Sequence, residues 1–140
     1  MRQIILAKSL VVNTEGKVLV LRRASDDTDH PGRVDFPGGG MDEGESYTQT
    51  AIREAYEEAG LRVREQDLTL AYTYTRYEKD KDTIVTRLLY IARDYSGNVK
   101  LSNEHDAYWW VAPTELKERF KDTSWEEAVG FVLAYTLLDM

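Results

Sequence analysis

The sequence predicts an α+β protein built as an α/β/α sandwich around a mixed central sheet. Strand-length apolar runs recur along the chain, helical signals are few and well capped, and a glycine-rich turn leads into the clearest helix. Ile4 to Val12 is apolar and β-branched, and Asn13-Thr14-Glu15-Gly16 supplies a turn before the apolar run Val18 to Leu21. That pattern predicts a hairpin of largely buried strands. Ala24 to Arg33 is polar, contains Pro31-Gly32, and is predicted as a surface loop leading to Phe36-Pro37-Gly38-Gly39-Gly40. A helix is predicted from Ser46, with Gln49 completing a capping box and Gly60 as a left-handed C-terminal cap. Leu68 to Thr75 alternates at the strand period, Lys79 to Asp82 forms a charged tip, and Thr83 to Ala92 returns as a strand. Tyr108 to Val111 predicts a short strand and Pro113 a helix start. Ser124 with Glu127 predicts a capping box before a last helix reaching about Leu138.

With 140 residues and 42% hydrophobic content, the chain fits one domain, residues 1–140, with a substantial core. There is no cysteine, which excludes disulfides, thiolate metal ligands and cysteine nucleophiles together. The formal net charge of −7 argues against a sequence-independent grip on a nucleic-acid polymer, which needs a basic face. It leaves room for a small anionic substrate bridged by divalent cations. No apolar run approaches membrane-spanning length, and the first residues read as a strand rather than a signal peptide, so a cytoplasmic protein is expected.

The chemistry is concentrated between Gly39 and Leu61. Glu54, Glu57 and Glu58 stand at i, i+3 and i+4, so their carboxylates share one helix face and repel one another. Taken alone, such a triad reads as a solvated acidic face. A hard divalent cation would convert the repulsion into coordination, and the glycine turn brings backbone groups close to the same helix.

Gly39, Glu45 and the run Arg53-Glu54-Ala55-Tyr56-Glu57-Glu58-Ala59-Gly60-Leu61 resemble a complete Nudix box, with every fixed position filled. The resemblance extends outward through Arg22-Arg23 and Phe36-Pro37-Gly38 on one side and Trp110-Val111 on the other. It implies a Nudix-type sandwich that hydrolyses a nucleoside diphosphate linked to another moiety, with Mg²⁺ or Mn²⁺ polarising the diphosphate and activating water. It also implies Glu54, Glu57, Glu58 and the Gly38 carbonyl as metal ligands, Arg53 as the residue orienting the glutamates, and Glu45 as a structural partner at the helix start. Glu104, six residues before Trp110, matches an extra glutamate of the family that binds metal or takes the proton from water, so Glu54, Arg53 and Glu104 form the expected catalytic set. Arg23, with Arg22 beside it, is expected to contact phosphate.

Several residues carry two readings. His105 is an alternative acid or base, against an ordinary surface-loop histidine. Tyr72, Tyr74, Tyr77 and Tyr90 could stack a base, although their alternation suits sheet packing and none is singled out. Trp109 and Trp110 must face opposite sides of their strand, one toward the core and the other toward a pocket. The absence of cysteine argues against an isopentenyl-diphosphate isomerase, and the intact box argues against a non-catalytic nucleotide-binding or partner-binding domain. The short chain resembles the MutT-like end of the family, so the expected substrate is a nucleoside triphosphate or a related nucleoside diphosphate derivative. No nucleic-acid polymer or membrane partner is expected, and a homodimer stays open.

Overall fold

The computed structural model describes residues 1–26 and 32–135. Among these, two sheets carry seven strands. The first is mixed and four-stranded, in the order β4 (Gly38–Gly40), β1 (Arg2–Val11), β6 (Thr83–Ala92) and β5 (Leu68–Glu78), with β1 and β6 parallel and the other pairs antiparallel. The second is antiparallel, with β2 (Val18–Arg23) between β3 (Val34–Asp35) and β7 (His105–Val111). The α+β class is as expected, but the strands divide into two sheets where the sequence predicts one central sheet.

The predicted hairpin of the first two strands is also corrected. Its turn forms, since Asn13 accepts from the Glu15 and Lys17 amides through its side chain and Gly16 donates to the Asn13 carbonyl. Only the bridge between Val12 and Val18 joins the two strands, and β1 and β2 then part into different sheets. The cause lies in both strands having two buried faces. Leu10 and Val18 pack in one core and Val11 and Leu19 in another, so each strand needs cover on both sides.

α2 (Pro113–Arg119) and α3 (Glu126–Tyr135) cover one side, where Leu116, Val129 and Val132 meet Val18, Val20, Leu89 and Ile91. Phe36 stacks on Phe120 with ring centroids 4.2 Å apart in the same core. α1 (Tyr47–Ala59) covers the opposite side, with Ala55 and Ala59 against Leu19, Leu21 and Val11. Burying each large aliphatic side chain contributes about 1.5–3 kcal/mol, so this division of faces is strongly specified.

Ser46 and Gln49 make the capping box at the start of α1, and Gly60 ends it in the left-handed conformation, both as expected. Pro113 opens α2. The start of α3 differs from expectation. Thr123, rather than Ser124, accepts from the Trp125 amide, and Glu126 reaches back to the Asp122 amide. The expected end of that helix near Leu138 and the stretch 27–31 of the predicted surface loop lie outside the described residues. No helix among the described residues is long and apolar enough to cross a membrane.

Candidate active site

β4 brings the glycine turn against α1. A side chain at Gly38, whose φ is 148°, would collide with the backbone of Ala7 and Lys8, and one at Gly39 would come within 2.9 Å of the Glu54 carboxyl carbon. Both positions therefore favour glycine, and the close approach sets the backbone beside the glutamates. The Gly38 amide donates to Glu58 at 2.7 Å.

Arg53 fastens the turn to the helix. Its Nε and Nη2 donate to Glu45 at 2.7 and 3.0 Å, Nη2 also donates to the Gly40 carbonyl, and Nη1 donates to Glu54 at 2.8 Å and Glu57 at 3.1 Å. Glu45 additionally accepts from the Thr50 hydroxyl and the Asp42 amide. Held mainly by Arg53, its carboxyl is lowered to about 2.

Glu104 reaches this helix through its loop. The Lys100 and Ser102 amides donate to the Ala59 and Glu58 carbonyls, tying the 98–104 loop to the end of α1. Carboxylate oxygens of Glu58 and Glu104 and a ring nitrogen of His105 consequently lie within 4.8 Å of one another. Glu54 and Glu57 line the same pocket of about 420 Å³, with Arg23 and the Gly38–Gly40 strand on its border. The glutamates differ in environment. Glu58 is buried, which pushes its carboxyl up to about 8 despite Lys8 and the Gly38 amide. Burial also raises the Glu54 carboxyl, against the opposing effect of Arg53.

His105 is buried rather than a surface-loop residue, because it opens β7 and pairs in register with Arg23. Its Nδ1 lies 3.9 Å from Glu58, and neither ring nitrogen has a hydrogen-bond partner. Burial lowers its pKa, which keeps the ring neutral near pH 7.

Arg22 does not line the pocket. Neighbouring strand residues face opposite sides, and Arg22 pairs with Asp106 at 2.7 Å while Arg23 turns toward the site. Neither Trp109 nor Trp110 lines a described pocket that contains the glutamates. Trp109 packs on the α2–α3 core under Arg22 and Arg119, and Trp110 stacks on Tyr95 on the other side. Tyr90 is buried, and Tyr72 packs on Phe131.

Lys8 and Asp35, which no motif marks, also border this region. Lys8 is buried on β1 and sits 2.9 Å from Asp35, which also pairs with Arg23 at 3.1 Å. Lys8 donates to the Gly38 carbonyl at 3.2 Å, so a cation held by that carbonyl would stand beside an ammonium group. The available signal was a lysine on the inward-facing side of an apolar strand, a costly placement without a partner.

The NUDIX domain family model matches residues 6–130. A MutT-like protein of Streptomyces ambofaciens is 29% identical over 113 residues, covering 81% of this chain and 66% of that protein. An asymmetrical bis(5'-nucleosyl)-tetraphosphatase of Sus scrofa is 37% identical over 92 residues, covering 61% of each. The chain thus spans about two thirds or less of the length of these two relatives. The crystal structure of the MutT protein from Methanosarcina mazei Go1 has a TM-score of 0.74 and 26% identity, covering 92% of this chain and 94% of that one. The match of the family model across most of the chain, together with the shared fold, shows that the protein belongs to the NUDIX domain family.

Proposed function

We propose that the chain hydrolyses the diphosphate linkage of a nucleoside triphosphate or another nucleoside diphosphate derivative, with a divalent cation bound at the glutamate cluster. The observation that carries this reading is the convergence of Glu58 and Glu104 in one pocket with Glu54 and Glu57, bordered by Arg23. The named activity of the Sus scrofa relative supports the same class of chemistry.

The residues fit a divalent cation. Glu54, Glu57, Glu58 and Glu104 offer hard oxygen donors, and the burial of Glu58, which Lys8 and the Gly38 amide offset only in part, favours a further cationic partner. A bound Mg²⁺ or Mn²⁺ would polarise a phosphoryl oxygen and acidify its bound water. Arg53 holds Glu54 and Glu57 in place, and Arg23 faces the pocket where a phosphate can accept from it. Glu104 takes a proton from the attacking water; the new bond forms from that oxygen to phosphorus, and the bridging P–O bond breaks to release two phosphate-bearing products.

A panel of nucleoside triphosphates, dinucleoside polyphosphates and nucleotide sugars, assayed with Mg²⁺ or Mn²⁺, tests the reading. Turnover on a member of the panel that stops in EDTA and returns with added metal is expected. Hydrolysis that survives complete chelation, or no hydrolysis of any nucleotide, would overturn it.

A further inference from the structure

A bulge in the second sheet brings a nitrogen donor to the glutamate cluster. Where β7 pairs with β2, Ala107 stands opposite Arg22, but His105 rather than Asp106 stands opposite Arg23. Residues opposite one another in a sheet share a face. The extra residue therefore turns His105 to the side of Arg23, which borders the glutamate pocket, and leaves Asp106 to pair with Arg22. The Ala24 amide donates to the Glu104 carbonyl at 2.9 Å, so the backbone before His105 is fixed as well.

His105 is only 3% exposed, and neither of its ring nitrogens has a hydrogen-bond partner, a costly state for buried polar atoms. Its Nδ1 faces Oε2 of Glu58 at 3.9 Å, too far for a hydrogen bond, while Oε1 of that carboxylate accepts from the Gly38 amide. Zinc bonds to nitrogen and carboxylate oxygen of roughly 2.0–2.2 Å put two ligands of one ion at most about 4.2 Å apart. The gap thus has the width of a shared cation. Glu104 supplies a third donor within 4.8 Å of the other two, from an exposed side chain that can close in. On the other side of Glu58 the Gly38 carbonyl accepts from Lys8, whose ammonium repels a cation there.

We propose that Glu58, Glu104 and His105 form the seat of a first-row transition-metal dication, with Nδ1 of His105 as a nitrogen ligand. The proposal rests on the function given above and names the class of its cation. A cluster of carboxylates alone suits Mg²⁺, a hard ion that takes oxygen, whereas an imidazole in the set favours Zn²⁺ or Co²⁺. Nδ1 binds as the neutral imidazole, with the ring proton on Nε2.

Calorimetric titration of the metal-free full chain with Zn²⁺ and with Mg²⁺, on wild type and His105→Leu, tests the seat without turnover. The variant is expected to lose roughly tenfold or more in Zn²⁺ affinity and to keep its Mg²⁺ affinity. Equal losses for both ions, or no loss for either, would make His105 a packing residue and overturn the proposal. A second measurement does not depend on how the variant folds. NMR of the imidazole nitrogens in histidine-labelled wild type should show one resonance moving with the first equivalent of Zn²⁺ and staying in place with Mg²⁺. That resonance should be the one missing from His105→Leu. No imidazole shift in wild type, or a shift that persists in the variant, overturns the proposal. Mg²⁺-supported hydrolysis without an imidazole shift would end the nitrogen ligand and leave the proposed hydrolase intact. An imidazole shift in a chain that hydrolyses no nucleotide would leave the metal seat standing and remove the enzyme.

Discussion

Glu58 and Glu104 come from a helix and a loop, and their proximity separates two roles that a motif alone leaves merged. Glu58 is buried and held by the Gly38 amide, whereas Glu104 is exposed on a loop tied to the end of the same helix. An exposed carboxylate beside the cluster can exchange protons with solvent, which suits a general base. Glu104→Gln is therefore expected to lower kcat by about two orders of magnitude, roughly 3 kcal/mol, with a smaller change in KM. His105 is the competing base, since burial keeps it neutral and able to accept a proton, but unlike Glu104 it does not line the glutamate pocket. Steady-state kinetics on Glu104→Gln and His105→Ala distinguish them: normal turnover in the first with a crippled second transfers the role to the histidine. If both variants retain wild-type rates, Glu54 becomes the candidate.

At the scale of elements, the proposed site depends on the link between β4 and α1, where Arg53 works alongside the Gly38–Glu58 hydrogen bond. Lysine at this position would keep the charge but lose the planar fork that serves Glu45, Gly40 and Glu54 together. Arg53→Lys should cost about 1–2 kcal/mol of stability, a drop of several degrees in melting temperature, and should lower turnover at least tenfold. Wild-type values for both would show that the fork is dispensable. The α1 region was readable because its information is local: the capping box, the left-handed glycine and the glutamate spacing all lie within one short segment. The partition of β1 and β2 into separate sheets was not readable, since both have the apolar pattern of a hairpin and only the cores on their two faces decide the outcome. The neighbouring compartment lined by Leu6, Lys8, Arg87 and Trp125 was equally hidden. Leu6 and Arg87 meet through parallel pairing across most of the chain, and Trp125 joins them from the approach to α3. The burial of His105 is hidden for a related reason, because it follows from the register of β7 with β2 rather than from its polar neighbours.

For the whole molecule, stability should register the charge state of the site. In the folded metal-free chain the Glu58 carboxyl is pushed up to about 8, against an ordinary value of 4.5. Between these values the folded state keeps a proton that the unfolded state has lost, so stability falls as pH rises. The raised Glu54 carboxyl acts in the same direction. His105 acts oppositely, but only below its ordinary value of 6.5, because above that pH it is neutral in both states. Glu45, lowered to about 2, and the lowered Asp67 and Asp106 are ionised throughout this range and add no slope. The window from pH 6.5 to 8 thus isolates the glutamate cluster. In EDTA, melting temperature should fall by a few degrees across it, corresponding to about 1–2 kcal/mol. On the proposed function Mg²⁺ would bind the ionised carboxylates, so the stabilisation it provides should be larger at about pH 8 than at about pH 6.5. Glu58→Gln should flatten the slope in EDTA and reduce the gain from Mg²⁺. Thermal melts of both proteins at the two pH values, with and without metal, decide the matter: a wild-type melting temperature that holds level or rises toward the alkaline end in EDTA would mean that Glu58 is ionised in the metal-free fold.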